Sequence, residues 1–446
     1  MCREESKRLE NRSLIQSEQT GKPAILVGIQ KAGHDDISLK AELDELESLL
    51  TTLGLKTSGR VIQKKASFSA KLLIGPGKVK EVRQLAESTG AGLVVVDHPL
   101  SGPQTRNLEK MTCCQVLDRA GVILDIFARH ARSRQAKTQV EIAQLEYLLP
   151  KLTGAWTHFQ RQTGGGVRAR GMGEKQIEID RRRARERIAR LSKQLENIRT
   201  EKEVQSKSRG KEIRVSIVGY TNSGKTTLMK GLTKSSIEGK DELFATLDAS
   251  VRILDPSTRP KILLSDTVGF IRNLPHSLVE SFRSTLDEVL HSDLLLHVVD
   301  VSHPDYQDQM KTTESVLDEI GAGDIPSICV FNKMDQVDEQ FLGKILSRKY
   351  TDSISISAKN DEDVRALRKH LFSYFQNSFK KISVVVPSDD AQALSLIYQS
   401  CIILDANYEQ QGYSIFDVRA PSGVLSRLKK YQKPNQTELN EEPMIH

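Results

Sequence analysis

Residues 219–226, Gly-Tyr-Thr-Asn-Ser-Gly-Lys-Thr, constrain the fold of this chain more than any other stretch. They follow a short apolar run, Ile213–Val218, and lead into a helical pattern. A GxxxxGK[ST] sequence therefore sits in the strand–loop–helix setting it requires. Gly219 and Gly224 let the loop turn tightly, so the backbone N–H groups of Tyr220, Thr221, Asn222 and Ser223 can point inward at phosphate. The following helix adds the positive end of its dipole. Lys225 is expected to reach the β- and γ-phosphates of a nucleoside triphosphate, and the Thr226 hydroxyl to bind Mg²⁺. A P-loop α/β domain is predicted over about residues 209–378.

Three further segments fall in the order such a site needs. The strand-like run Lys261–Ser265 delivers Asp266-Thr-Val-Gly269. A carboxylate at that strand end, Asp266, can hold Mg²⁺ through water. The N–H of Gly269, after Thr267 and Val268, can sense the γ-phosphate. Ile325–Phe331 is a second buried-strand run and ends in Asn332, Lys333, Met334 and Asp335. The Asp335 carboxylate can accept from guanine N1–H and N2–H₂, a donor pair adenine lacks, so the pocket is predicted to select guanine. The Lys333 stem can lie along the base. In Ser357-Ala-Lys359, the Ala358 N–H is expected at guanine O6, flanked by Ser357 and Lys359. Between the P-loop and Asp266 lies Phe244, Ala245, Thr246, Leu247 and Asp248. Thr246 is the candidate to complete the Mg²⁺ shell, with Thr227, Thr233 and Ser250 as competitors. Lys225, Thr246 and Gly269 are the candidate catalytic groups. Phe270 stands where a water-orienting glutamine is common, which predicts slow hydrolysis accelerated by a partner; the alternative is that another polar group of segment 271–281 orients the water.

Length and charge set the frame for the rest. The chain has 446 residues, enough for two to four domains, and a formal net charge of +7. No apolar run is long enough for a membrane span, and the charged start does not resemble a signal peptide. Five cysteines without ligand spacing fit a reducing, cytoplasmic setting, with at most peripheral membrane contact. Residues 1–20 and 432–446 read as loose polar ends. From 21 to 132, strand-like Ala24–Ile29, Leu72–Ile74, Leu93–Val96 and Gln115–Leu117 alternate with helical 37–53, 79–89, 101–111 and 119–133. That alternation predicts a parallel α/β unit. Over 133–208, Ile142, Leu145, Leu149 and Leu152 are spaced 3, 4, 3, and Ile188, Leu191, Leu195 and Ile198 repeat the spacing. Two such seams predict an antiparallel helical hairpin, with Pro150 ending its first helix. Residues 379–431 read as a small α+β domain. Cys113-Cys114 reads as a buried pair at a strand start. Gly75-Pro-Gly-Lys78 reads as a strand-to-helix turn, with a second phosphate site as the alternative.

Residues 161–190 hold ten Lys/Arg against four acids, most of the chain's excess charge. Charge gathered this way is an electrostatic footprint for phosphates. Gly164-Gly-Gly166, Gly171 and Gly173 free the loop backbone, and Trp156, His158 and Phe159 offer stacking faces for unpaired bases. Arg161, Arg168, Arg170, Lys175, Arg181, Arg182 and Arg183 are the candidate RNA contacts. The alternative is a solvated helix face with a loose loop.

The whole order resembles the HflX family of ribosome-associated GTPases. Besides the nucleotide signatures, the resemblance rests on Ile74-Gly-Pro-Gly-Lys-Val79, Asp118-Arg-Ala-Gly-Val-Ile-Leu-Asp-Ile-Phe-Ala128 and Gln144-Leu-Glu-Tyr-Leu-Leu-Pro150. Gly164-Gly-Gly166, Glu178-x-Asp180-Arg-Arg-Arg183 and Gly219-Tyr-Thr-Asn222 extend it. It implies a Ras-like GTPase domain preceded by an α/β unit and a helical hairpin, with GTP, GDP and Mg²⁺ as ligands. It also implies a partner, the large ribosomal subunit and its rRNA, reached by the hairpin loop, and a monomer. By the same resemblance Thr226 and Thr246 are the Mg²⁺ contacts and Phe244–Asp248 is the switch motif. The loop departs from the family pattern at Ala169, Met172 and Lys175, and Ala249-Ser250 replaces a common Pro-Thr. Two other functions stay open on the residues alone. One is an ATP-using RNA remodeller with a regulatory GTPase domain. The other is a nucleotide-gated protein scaffold.

Overall fold

The computed structural model describes residues 14–15, 21–30, 36–64, 71–152, 168–207, 212–233, 243–244, 246, 250–256, 258, 260–272, 288–337, 341–408, 412–420 and 422–432. The chain divides into two compact units. One comprises residues 1–202 with 240–248 and 271–286, and the other 203–239, 249–270 and 287–446.

In the first unit, four parallel strands form a sheet in the order β2-β1-β3-β4, from Ala24–Gln30 (β1), Thr57–Lys64 (β2), Leu93–Val96 (β3) and Gln115–Asp118 (β4). Their connections are helices α1 (Asp36–Thr52), α2 (Pro76–Thr89) and α3 (Gly102–Thr112), with α4 (Arg119–His130) after the last strand. Helix α1 packs with α4, and α2 with α3, which covers β1 and β3 from both sides. Both central strands are accordingly apolar along their length, as in AILVGIQ and LVVV.

Sequence periodicity misplaces one strand. Leu72–Ile74 is no strand: Leu73 has φ +63°, and Ile74 donates to Leu72 O in a tight turn. Leu73 and Ile74 are apolar because they plug the core beside Val61 and Val79. The actual second strand, TSGRVIQK, is an edge strand in which Val61 alone is fully buried, so it carries no apolar alternation to detect. The cysteine expectation is half met, since Cys114 is buried and Cys113 is exposed in a left-handed helix cap. Gly75-Pro-Gly-Lys78 opens α2, and Lys78 Nζ pairs with Glu81 at 2.7 Å. Two residues of the supposedly loose N-terminus are buried. The Asp125 carboxylate accepts from Leu14 N and Ile15 N, and Gln115 Nε2 donates to Leu14 O.

Two helices carry the predicted seams, and part of each seam packs against the other. Helix α5 (Arg134–Leu148) begins at a Ser133 N-cap and ends before Pro150, and α6 runs from Arg168 to Lys207. Ile142 and Leu145 pack against Leu191, with Ile188 and Leu195 beside them. The foot of α5 is fixed by Asp118 at the end of β4. One Asp118 oxygen accepts from Tyr147 OH (2.7 Å) and Gly121 N (3.1 Å), the other from Lys151 Nζ (2.8 Å) and Leu100 N (3.0 Å). A buried carboxylate so fully satisfied is stable; without it, Lys151 would lose its hydrogen-bonded counter-ion and keep only the weaker attraction of Glu109. Residues 153–167, which include Trp156, Phe159, Arg161 and Gly164–Gly166, lie outside the described residues.

The second unit carries a six-stranded sheet, β10-β9-β8-β5-β7-β6. Its strands are Ile213–Gly219 (β5), Ser250–Ile253 (β6), Ile262–Asp266 (β7), Leu294–Asp300 (β8), Ser327–Asn332 (β9) and Ser353–Ser355 (β10). All pair parallel except β6. Helices α7 (Lys225–Thr233), α8 (Tyr306–Ile320), α9 (Leu342–Lys349) and α10 (Asp361–Ser378) flank it. The C-terminal part is a three-stranded antiparallel sheet of Lys380–Pro387 (β11), Ile402–Tyr408 (β12) and Tyr413–Ala420 (β13) in the order β11-β13-β12. Helices α11 (Ala391–Ser400) and α12 (Ser422–Leu428) bury Ile397 and Leu428 against Val384, Phe416 and Val418.

Replacing Asp118 by Ala is expected to cost about 3–5 kcal/mol in the first unit. Amide hydrogen exchange in α4 and α5 should speed up, and a second change, Lys151→Met, should restore most of the protection. Unchanged exchange in the single variant would show that the hairpin foot is held by packing alone.

Candidate functional site: a nucleotide pocket at the strand ends

Parallel strands β5, β7, β8 and β9 end on the same edge, and the loops leaving them converge there. The P-loop is shaped by two forced glycines. Gly219 has φ +147°, and a Cβ there would sit 2.2 Å from Val298 O on β8. Gly224 has φ +94°, and its Cβ would fall 2.2 Å from Asn332 Nδ2. Asn222 also adopts a left-handed conformation, which asparagine tolerates better than most residues.

Asn332, at the end of β9 and 2% exposed, ties three loops together. Its Nδ2 donates to Ser223 O in the P-loop at 2.8 Å, and its Oδ1 accepts from Ala358 N at 2.8 Å. The Ala358 N–H assigned by sequence to guanine O6 is therefore committed to Asn332. Ser357 Oγ donates to Asp335 Oδ1 at 2.7 Å, which orients the carboxylate. Asp363, on α10, accepts from Ser357 N at 2.7 Å and fixes that loop from behind. Sequence reasoning missed Asp363; its one signal was an acid shortly inside a helix start. Lys333 has φ +65° and Met334 N donates to Ile356 O.

The Asp266–Gly269 segment is stitched to the P-loop by backbone. Thr221 N donates to Phe270 O (2.7 Å) and Phe270 N to Gly219 O (3.1 Å). The Phe270 ring is buried in core, so only its backbone serves the site. Thr267 Oγ1 donates to Ile217 O, which turns Val268 and Gly269 toward the loop. A Cβ on Gly269 would approach both Lys225 Nζ and Thr221 Cα to 2.9 Å. Thr226 Oγ1 donates to Asp266 Oδ2 at 2.9 Å, so hydroxyl and carboxylate lie side by side, a hard-oxygen pair suited to Mg²⁺.

Lys225 is buried, and its ammonium donates to the carbonyls of Gly219 (3.1 Å) and Tyr220 (2.6 Å). Burial lowers its pKa to about 8, against a smaller raising effect of Asp266. His297 on β8 is pushed to about 4 by burial and by the Lys225 charge, so it stays neutral behind the loop. Ser223 Oγ is buried with no protein hydrogen-bond partner among the described residues. A dehydrated ammonium, an unspent hydroxyl and a helix N-terminus fit a polyphosphate.

Phe244 departs from the expected arrangement. It has φ +57°, is 2% exposed, and stacks edge-on against Phe127 of α4 with ring centroids 4.7 Å apart. Its ring is thus a packing group of the first unit. Thr246 is described, whereas Ala245, Leu247 and Asp248 lie outside the described residues.

Comparison with known proteins agrees with this geometry. Residues 214–333 match the family model described as 50S ribosome-binding GTPase. Residues 40–128 match the GTP-binding GTPase N-terminal model, and 130–209 the GTP-binding GTPase middle region. GTPase HflX of Gluconacetobacter diazotrophicus is 42% identical over 445 residues, covering 91% of this chain and 97% of that protein. GTPase HflX of Alkalihalophilus pseudofirmus is 39% identical over 415 residues, covering 91% and 97%. GTPase HflX of Escherichia coli K12 is 36% identical over 416 residues, covering 92% and 96%.

Gly224→Ala must displace the Asn332 amide, and GDP affinity should fall at least about tenfold, the weight of one broken tether; calorimetric titration measures it. A second expectation concerns pH. Folding lowers the Lys225 pKa from the ordinary lysine value of 10.5 to about 8, so the unfolded chain binds more protons between those values. The Lys225 contribution to stability therefore rises with pH across that window and is most unfavourable below it. Lys225→Met should raise the melting temperature of nucleotide-free protein at pH 7, and the gain should shrink by pH 10. An equal gain at both values would contradict the burial effect.

The P-loop, the Asp266–Gly269 stitch and the Asn332 tether thus sit in a chain that matches its relatives along nine-tenths of its length, and that chain belongs to the HflX family of GTPases, which hydrolyse GTP to GDP with Mg²⁺.

Proposed function

We propose that this GTPase binds the large ribosomal subunit, touches rRNA with its hairpin, and couples GTP binding and hydrolysis to splitting, recycling or assembly of ribosomes in the cytoplasm, acting as a monomer. The observation that carries this reading is the charge on α6. That helix has 40 residues, about 60 Å at 1.5 Å per residue. Arg182 and Arg183 are 72% and 70% exposed and meet loose partners, Glu186 at 3.6 Å and Asp180 at 3.9 Å. Surface pairs this long hold little energy, so the guanidinium groups are available to phosphates. Arg187, by contrast, is held by Glu141 on α5 at 2.7 Å and braces the hairpin. Arg168, Arg170 and Lys175 lie on the first turns of the same helix, with side chains outside the described residues, as Arg161 does entirely.

In the pocket, Asp335 takes the guanine edge and the Lys333 stem its face. Lys225 and the P-loop amides neutralise the phosphates. Thr226 and Thr246 would hold Mg²⁺, with Asp266 beside Thr226 supporting the site; the ion would supply Lewis-acid polarisation of the phosphate oxygens. Gly269 N–H reads the γ-phosphate. Phe270 offers no side-chain hydrogen bond to the attacking water, so unassisted turnover is slow and the subunit accelerates it. No helix among the described residues is long and apolar enough to cross a membrane.

Large subunits should raise GTP turnover, and Lys225→Ala should abolish it. Changing Arg181, Arg182 and Arg183 together to Ala should weaken subunit binding and flatten its salt dependence by about two to three units of slope, near one for each phosphate no longer neutralised. Turnover indifferent to subunits, together with no binding in a non-hydrolysable GTP analogue, would end this reading.

A further inference from the structure

We infer that Asp300 is a positioning residue for guanine binding that acts through Lys333, an inference that rests on the guanine pocket proposed above. Strand register places Asp300, the last residue of β8, opposite Asn332, the last residue of β9. Val301 N donates to Asn332 O at 3.2 Å and extends that pairing one residue past the strands. Lys333 then enters the loop in a left-handed conformation, at φ +65° and ψ 32°. Its ammonium turns back to Asp300, with Nζ 2.7 Å from Oδ2.

The carboxylate is fixed from its other side. Asp300 Oδ1 accepts from Ser302 N at 3.0 Å and from Ser302 Oγ at 2.5 Å. Both oxygens are thus engaged, one by a backbone turn and one by the lysine. The pair is only partly shielded, with 21% of the Lys333 side chain and 13% of the Asp300 side chain exposed. A lysine side chain is long and flexible, and free in solvent it samples many rotamers. Anchoring its ammonium holds the four-carbon stem in one course beside the Asp335 loop, so the apolar strip offered to a base is preformed. Preorganisation of this kind acts on affinity, because the ordering cost is met before the ligand arrives. Asp300 also offsets the Lys333 charge beside the Asp335 loop. Neither effect touches the reacting atoms, so the loss should fall on KM rather than kcat.

The test is a double-mutant cycle read by calorimetric titration of GDP. Asp300→Asn keeps the size and removes the charge, and should weaken GDP roughly five- to tenfold. In a Lys333→Ala background the same change should add less than about twofold. Ser302→Ala loosens the carboxylate without removing it, and should weaken GDP in the same direction by a smaller factor; it carries the test if Asp300→Asn folds poorly. Asp300→Glu should recover part of the loss. A loss that persists undiminished in the Lys333→Ala background, or no loss in either the Asp300 or the Ser302 variant, would overturn the inference while leaving guanine selectivity intact. Equal binding of GDP and ADP by the unaltered protein would overturn the guanine pocket itself and this inference with it.

Discussion

The nucleotide pocket depends on one buried amide. Asn332 joins the P-loop and the Ala358 loop with a donor at 2.8 Å and an acceptor at 2.8 Å, both supplied by one planar amide. In a dry site each of these bonds is electrostatically stronger than in water, and leaving either partner unpaired is costly. The same amide explains Gly224, since any side chain there would occupy the Nδ2 position. Loops that on a free surface would move separately are held at one spacing, which is what a rigid bicyclic base and a flexible triphosphate require together.

The sheet makes that tether possible. Only in a parallel sheet do β5, β7, β8 and β9 release their loops on one edge, and ligands of open α/β sheets gather at that edge. Burial there also sets the electrostatics. Lys225 is dehydrated, donates to two carbonyls and has a pKa lowered to about 8, so a phosphate that replaces those carbonyls gains a strong partner in low dielectric. His297 stays neutral behind it and adds no competing charge. Thr226 Oγ1 and Asp266 Oδ2 stand side by side at 2.9 Å, two hard oxygens on the phosphate side of the sheet.

The first unit solves a different problem, the support of a long charged helix. Two seams of leucine and isoleucine join α5 to α6, and Asp118 pins the foot of α5 with four donors. Arg119, its neighbour, is held in turn by Asp97 and Glu45. These buried ion pairs tie the start of α4 to α1 and to the end of β3, beside the Asp118 cluster. Arg182 and Arg183 remain solvated, while Arg187 braces the hairpin against Glu141.

Much of this was legible in the sequence, for physical reasons. Gly219–Thr226, Asp266–Gly269, Asn332–Asp335 and Ser357–Lys359 are short motifs whose chemistry is local, the hairpin seams carry a helical period, and the central strands β1, β3 and β5 are predominantly apolar runs. The edge strand β2 has no such run, because edge strands bury few side chains, and Leu73 and Ile74 imitated a strand by being core plugs in a turn. Tertiary structure alone decided the partners. It paired the Ala358 N–H with Asn332, Phe244 with Phe127, Leu14 with Asp125 and Lys333 with Asp300. Sequence determines which groups a residue offers and the period at which it offers them. Which group across a hundred residues accepts the offer depends on strand order and register, and those are settled only when the whole core is buried at once.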